Sequence, residues 1–284
     1  MPEPGPGEVV VQMRAAAINP GEASIREGYM HERFPASFPS GEGSDLAGVV
    51  YAVGKGVTEW LVGDDVAGWS WARSSHAEYV AVPGNQLVTK PPLVSWEAAG
   101  SLAVAGCTAW AAVAAVEPRS GDTIVVSAAA GGVGVIAVQL LVESGARVLG
   151  IASESNHHWL EAHGVVPIAY GDGLAERVRA AAPDGVDASI DLFGPQYVDL
   201  ALELGVAPER INTIIAFERA VEVGARTDGS AVGTSTDVMS ELLALMAEGK
   251  LEIPIAATYP LEQVRDAYRE LEQRHTLGKI VLHP

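Results

Sequence analysis

The residues with the clearest chemical potential in this sequence are the small ones of Ala128-Ala-Ala-Gly-Gly-Val-Gly134. They lie between an apolar run, Thr123-Ile-Val-Val-Ser127, that reads as a buried strand and a stretch from Val133 to Ser144 that reads as a helix stopped by Gly145. Gly131 lets the backbone approach a pyrophosphate, and Gly134 lets the helix pack closely on the strand. The helix start adds unpaired N–H groups and the positive end of its dipole. The chemistry indicated is dinucleotide binding. Ala129 stands where the first glycine of the usual G-x-G-x-x-G would be, so the strand–turn–helix setting carries as much of the argument as the glycines.

The end of the next strand, Arg147-Val-Leu-Gly-Ile-Ala152, selects the dinucleotide. A carboxylate there, roughly twenty residues past the glycines, would hold both ribose hydroxyls of NAD and repel a 2′-phosphate. This sequence has Ser153 instead, with His157 a helical turn further on and Glu154 opposing them. The reading is NADP as cofactor. His157 and His158 have a plainer alternative as solvated residues on a helix face.

Metal chemistry has little to work with. Cys107 is the only cysteine, so no intrachain disulfide and no cysteine-rich zinc site can form. The seven histidines, at 31, 76, 157, 158, 163, 275 and 283, show no spacing that assembles ligands. No metal is expected. The 36 acidic against 18 basic residues give a formal net charge of -18, which disfavours nucleic acid and anionic membranes as partners. The Ala-rich run from Leu102 to Val116 is broken by Gly106 and Thr108, and no signal peptide is recognisable; a cytoplasmic location is expected.

The elements that must position these residues change style along the chain. The first third is turn-rich and β-rich, with runs at Glu8–Gln12, Asp45–Val53, Val66–Trp69 and Ala77–Val82, as in an irregular barrel. From about Trp96, strands alternate with helices. Further strands are predicted at Pro167–Tyr170, Ala188–Leu192, Arg210–Ala216 and Val221–Ala225, and helices at Asn156–His163, Leu174–Ala182, Gln196–Leu204 and Thr236–Glu248. Six short apolar strands joined by helices predict an α/β fold with a Rossmann doubly wound parallel sheet. The last segment, from Ile253, reads strand–helix–strand and is expected to rejoin the first domain. The predicted organisation is a catalytic domain over 1–97, a nucleotide domain over 98–250, and a return to the first over 251–284.

Taken in order, Pro4-Gly-Pro-Gly-Glu-Val9, Ala17-Ile-Asn-Pro20, Gly43-Ser-Asp-Leu-Ala-Gly-Val49, Ala77-Glu-Tyr-Val80, Thr108-Ala-Trp110, Gly121-Asp122 with Ala129–Gly134 and Gln139, and Gly278-Lys-Ile-Val-Leu282 resemble the zeta-crystallin-like quinone oxidoreductases of the medium-chain dehydrogenase/reductase superfamily. The resemblance implies a GroES-like barrel beside the Rossmann domain and hydride transfer from NADPH to a quinone or an α,β-unsaturated carbonyl. At the metal-ligand positions of zinc-dependent members this chain has Asn19 or its neighbour, Ser44 and Val104, so a zinc-independent enzyme is implied. It also implies that Asn19 and Thr108 face the nicotinamide half of the cofactor and that Gly131, Gly132 and Val133 cradle the pyrophosphate. Ser153 and Tyr170 should lie by the 2′-phosphate, and Phe193, Ala216 and Phe217 should border the nicotinamide ribose and ring. Plainer roles exist for three of them: Asn19 as a turn residue, Tyr170 as a strand cap, Phe217 as core.

Many relatives carry a tyrosine five residues after the Asn; here that position is Ser24. Ser24 and Tyr29 are the catalytic candidates beside Asn19, and solvent is an alternative proton source. Trp69 and Trp71 can wall a cleft or simply pack the barrel. Relatives of the family begin with a further strand and hairpin, whereas this sequence opens at Met1-Pro-Glu-Pro, which predicts an unpaired edge along Glu8–Met13. A homodimer is expected through antiparallel pairing of Val221–Arg226. Two other functions fit the same residues: an enoyl reductase acting on carrier- or CoA-bound substrates, and a non-catalytic NADPH-binding sensor or scaffold.

Overall fold

The longest strand sets up the first half of the protein. In a computed structural model describing residues 1–32, 35 and 38–284, β1 (Glu8–Ala17) is buried over nearly its whole length. Strands flank it on both sides. It pairs antiparallel with β2 (Asp45–Val53) on one side and with β4 (Tyr79–Pro83) on the other, and its end, at Ala16 and Ala17, pairs with β12 (Lys279–His283). The predicted open edge along Glu8–Met13 is therefore absent: β4 occupies it. β3 (Asp65–Trp69) joins β2, β5 (Leu87–Thr89) joins β3, and β11 (Ile255–Pro260) runs parallel to β12, giving the order β11-β12-β1-β2-β3-β5. Val9, Val11, Met13, Leu46, Val50, Val66, Val80 and Val82 interlock as its core. The short α1 (Pro20–Arg26) and α2 (Trp96–Ala99) belong to this unit.

α3 (Leu102–Ala115) is one continuous helix through Gly106 and Thr108. A mid-helix glycine costs only about 1 kcal/mol against alanine, and burial of Leu102, Ala103, Ala105, Cys107, Ala109, Ala111 and Ala112 outweighs it. Cys107 is a free, buried core thiol.

The second unit, Ala105–Gly233, is built on five parallel strands: β6 (Thr123–Val126), β7 (Arg147–Ala152), β8 (Val166–Ala169), β9 (Ala188–Asp191) and β10 (Ile211–Thr213). They stand in the order β10-β9-β6-β7-β8, so the winding reverses between β6 and β9. Such a reversal opens a crevice at the carboxyl ends of the strands, where ligands bind in doubly wound sheets. The connecting helices are α4 (Gly134–Glu143), α5 (His157–Ala162), α6 (Leu174–Ala181), α7 (Pro195–Glu203), α8 (Phe217–Val223) and α9 (Ser230–Gly233).

The strand expected at Val221–Ala225 is not formed, because those residues end α8 and its C-terminal turn. Thr213 Oγ1 accepts the N–H groups of Ile215 and Ala216 and turns the chain into that helix, and Gly224, at φ +81°, closes it. All that remains of a sixth strand is a single bridge between Asn212 and Arg226. The dimer pairing expected along 221–226 thus lacks its strand. α10 (Thr236–Ala247) packs against β5 and, with α11 (Val264–Glu272), belongs to the first unit, which comprises Met1–Val104 and Thr234–Pro284. Among the described residues no helix is long and apolar enough to cross a membrane.

Candidate functional site

The turn from β6 into α4 is shaped by what a side chain cannot enter. A Cβ on Gly134 would sit 2.3 Å from the Ala128 carbonyl oxygen and 2.7 Å from the Ala129 carbonyl, so only glycine lets the helix start so close to the turn. Ala128 itself takes φ +45°, and its oxygen accepts the Gly131 N–H at 2.9 Å. Val135 N–H already closes on Gly131 O, whereas the N–H groups of Gly132, Val133 and Gly134 have no acceptor among the described residues. Three adjacent unfilled donors at a helix start suit an anionic phosphate. The residues present therefore fit the dinucleotide that the sequence called for.

The other expected contact residues of this unit follow the carboxyl ends of its strands. Ser153 follows β7; its hydroxyl accepts from Asn156 Nδ2 at 3.1 Å and shares a 3.0 Å hydrogen bond with Ser155. His157 begins α5, and its Nε2 is buried without a partner. Tyr170, about half exposed, follows β8. The loop holding it is fastened by Arg177, whose guanidinium donates to Ala169 O at 2.8 Å, Gly171 O at 3.2 Å and Asp172 O at 2.6 Å. This cation beside the β8 terminus was missed in the sequence because it lies on a helix, away from any glycine motif. Phe193 follows β9 and meets Tyr197 edge-to-face at 5.7 Å. Burial, with the Asp191 charge adding to it, pushes the Tyr197 phenol up. Ala216 is buried at the end of β10 and Phe217 opens α8. Thr108 is buried in α3, with its methyl group near Gly229.

What fixes the loops after β9 and β10 is Asp191, a wholly buried carboxylate the sequence did not single out. Its Oδ1 accepts from Ser127 Oγ at 2.9 Å, Phe193 N–H at 2.9 Å and Gly194 N–H at 3.0 Å, and its Oδ2 from Thr213 Oγ1 at 2.7 Å. Ser127 and Thr213 pass the restraint on, accepting the N–H groups of Leu192 and Ala216. A single side chain thus ties together the ends of β6, β9 and β10 on both sides of the switch point. The available signal was an acid closing the apolar run Ala188-Ser-Ile-Asp191.

In the first unit, Asn19 joins a buried polar cluster. Its Oδ1 accepts from Lys279 Nζ at 2.5 Å, while its Nδ2 donates to Asp45 Oδ2 at 2.9 Å and to Glu22 Oε1 at 3.3 Å. Glu22 also accepts the N–H groups of Asn19 and Ser44 and the Tyr268 hydroxyl. Asp45 Oδ1 accepts the Val104 N–H at 2.6 Å, and Lys279 lies 3.4 Å from Asp45 Oδ2. Burial, reinforced by the Glu22 charge, holds the Tyr268 phenol far above its ordinary range, so it serves as a hydroxyl donor. Asn19, Ser44 and Val104, which with a neighbour of Asn19 are the positions the resemblance sets against the metal ligands of zinc-dependent members, are all bonded to this carboxylate pair. Among the described residues no group of three His, Cys, Asp or Glu side chains is placed to hold a metal ion.

Ser24 and Tyr29 are not brought into that cluster. Ser24 Oγ donates back to Pro20 O at 3.2 Å within its own helical turn, and Tyr29 is 81% exposed.

A profile described as alcohol dehydrogenase GroES-like domain matches residues 5–92, and one described as zinc-binding dehydrogenase matches residues 160–282. The rat synaptic vesicle membrane protein VAT-1 homolog is 31% identical over 321 residues, spanning 100% of this chain and 78% of that protein. The human mitochondrial NAD(P)H oxidoreductase RTN4IP1 is 26% identical, spanning 98% of this chain and 82% of its own length. The structure of the quinone oxidoreductase from Coxiella burnetii superposes with a TM-score of 0.88 at 29% identity, covering 100% of this chain and 92% of that one.

Proposed function

Because the chain belongs to the zinc-independent, quinone-oxidoreductase branch of the medium-chain dehydrogenase/reductase family, whose members are oxidoreductases using a nicotinamide cofactor, we propose that it uses NADPH to reduce a quinone or an α,β-unsaturated carbonyl compound. The observation that carries the choice of NADPH is the end of β7. Ser153 stands there with hydroxyls around it, and Arg177 fastens the neighbouring loop. A 2′-phosphate would find donors there and a cation nearby, and would meet no carboxylate at position 153.

The cofactor supplies the hydride; the protein's part is binding, orientation and exclusion of water. Gly132, Val133 and Gly134 offer N–H donors to the pyrophosphate. Ser153, His157 and Tyr170 hold the adenosine phosphate end. Phe193, Ala216 and Phe217, on loops that Asp191 keeps in place, border the nicotinamide side, with Thr108 as a further contact. The substrate is a small molecule of low polarity. Calorimetric titration of NADPH and NADH into the protein tests the cofactor assignment: NADPH should bind at least tenfold tighter, about 1.4 kcal/mol, and equal or tighter NADH binding overturns it.

A further inference from the structure

Arg177 departs from the way this chain uses its other arginines. The sequence carries 36 acidic against 18 basic residues, and Arg26, Arg179, Arg210, Arg219, Arg226 and Arg269 each pair with a carboxylate. Arg177 pairs with none among the described residues, Glu176 beside it included. Its guanidinium is committed to backbone carbonyls instead. Nε and one terminal nitrogen donate to Ala169 O at 3.1 and 2.8 Å, that same nitrogen to Gly171 O at 3.2 Å, and the other to Asp172 O at 2.6 Å. Carbonyl dipoles solvate a cation without neutralising it, so the full charge stays at this point.

The position is also unfavourable on local grounds. Arg177 closes the first turn of α6, its N–H bonding to Gly173 O at 3.1 Å, and a helix dipole disfavours a cation there. Helical side chains lean toward the N-terminus, which is how this one reaches back to the loop from Tyr170 to Gly173. The loop takes left-handed backbone at Gly171 and Gly173, φ +102° and +74°, to wrap the guanidinium. A cation set against a helix start, with no acid as partner in a strongly acidic chain, breaks a local rule, and such breaks are expected at functional sites.

β7 and β8 pair in parallel with Ala152 opposite Ala169, so Ser153 and Tyr170 leave the sheet side by side, about 4.8 Å apart. The guanidinium on Ala169 O therefore lies within about 10 Å of the end of β7, about one screening length in roughly 0.1 M salt. Tyr170 is about half exposed, and its hydroxyl has no partner among the described residues. Glu154, next after Ser153, opposes an anion, and Arg177 offsets it. All of these residues lie in the one unit Ala105–Gly233.

We propose that Arg177 is the positioning residue that selects a phosphate monoester at the end of β7. It holds Tyr170 beside Ser153 and supplies the charge that favours a ribose 2′-phosphate, which is close to a dianion at neutral pH. The ligand named rests on the NADPH reading above; Arg177 is the source of the preference. Because its donors are already bonded to the loop, it acts through Tyr170 and through its field, not by direct contact.

Titration of adenosine 2′,5′-bisphosphate and adenosine 5′-monophosphate into the whole protein tests this without any turnover. The unaltered protein should bind the bisphosphate at least tenfold more tightly, about 1.4 kcal/mol. That ratio should shrink between roughly 0.01 M and 1 M salt, over which the screening length falls from about 30 Å to about 3 Å. Arg177→Met should bring the ratio to within about twofold of unity while keeping the 5′-monophosphate affinity within about threefold of the unaltered protein. Arg177→Lys, which keeps the charge but not the planar fork, should show a ratio between the two. A structural role alone would weaken both nucleotides together and gain nothing from lysine. The proposal is overturned if Arg177→Met keeps the full ratio, if both nucleotides weaken alike as the melting temperature falls, or if Arg177→Lys is no better than Arg177→Met. A ratio near one in the unaltered protein would refute the NADPH reading, and this proposal with it.

Discussion

Replacing Lys279 with methionine removes the one ammonium group bonded to Asn19 and Asp45. Lys279 is 3% exposed and Asp45 is 0% exposed, so water cannot take its place cheaply. Asn19 Oδ1 loses its 2.5 Å partner, and among the described residues Asp45 keeps the Val104 N–H and Asn19 Nδ2 as its donors. Breaking a buried pair on one side costs roughly 3–5 kcal/mol. At roughly 2–4 °C per kcal/mol for a protein of this size, the melting temperature should fall by about 6–20 °C. Adding Asp45→Asn to Lys279→Met removes the orphaned charge, so the double variant should recover part of that loss, with a coupling of about 0.5–3 kcal/mol. Urea and thermal unfolding of the four proteins measure it. A single-variant loss of less than about 1 kcal/mol, the size of a surface pair, would refute the reasoning that the cluster is dry and mutually dependent.

Three further outcomes are expected. Ser153→Asp should reverse the cofactor preference by placing a carboxylate against the 2′-phosphate, read as NADH binding more tightly than NADPH by calorimetry; an unchanged preference contradicts the placement of that phosphate. Asp191→Ala should unfasten the loops after β9 and β10 and leave Ser127 and Thr213 without their acceptor, weakening NADPH binding by at least tenfold, about 1.4 kcal/mol, and stability by roughly 1–3 kcal/mol; binding within twofold of the parent would show that the loops hold themselves. Burial would raise Asp122, but the Arg210 guanidinium at 2.5 Å and the Arg119 N–H prevail and hold it below its ordinary value. A depressed carboxyl contributes stability that is present above its unfolded pKa of about 3.9 and is lost as pH falls through the folded value. Asp122→Asn should therefore lower the melting temperature at pH near 7 while flattening its fall below about pH 4; parallel curves for the two proteins would count against the pair.

Much of the nucleotide unit was legible because its signals are local. Apolar strands, a small-residue turn and the helix after it all sit within a few residues of one another, and β6, β7 and β9 fall within a residue of the spans that pattern suggests. Local propensity misled at Val221–Ala225, where Val-Glu-Val alternates like a strand but Thr213 bonding and Gly224 make a helix. The open edge expected at Glu8–Met13 came from the family resemblance and not from local pattern; β4, itself visible as the run Ala77–Val82, closes it through a long-range pairing that no local signal shows. The polar clusters were harder still. Asn19 was visible beside Pro20 and Glu22 lies one turn on, but Asp45, Tyr268 and Lys279 come from distant parts of the chain, and nothing short of the fold brings them together.

Transfer of hydride from NADPH to a quinone or an enone can be followed directly with an isotope. NADPH carrying deuterium at the transferable C4 position is offered with a panel of quinones and enones, and the reduced acceptors are analysed by mass spectrometry. The expected result is NADPH oxidation with at least one member of the panel, deuterium on carbon in the enone products, and faster turnover than with NADH. NADPH left unoxidised by every acceptor, or enone products without deuterium on carbon, would contradict it.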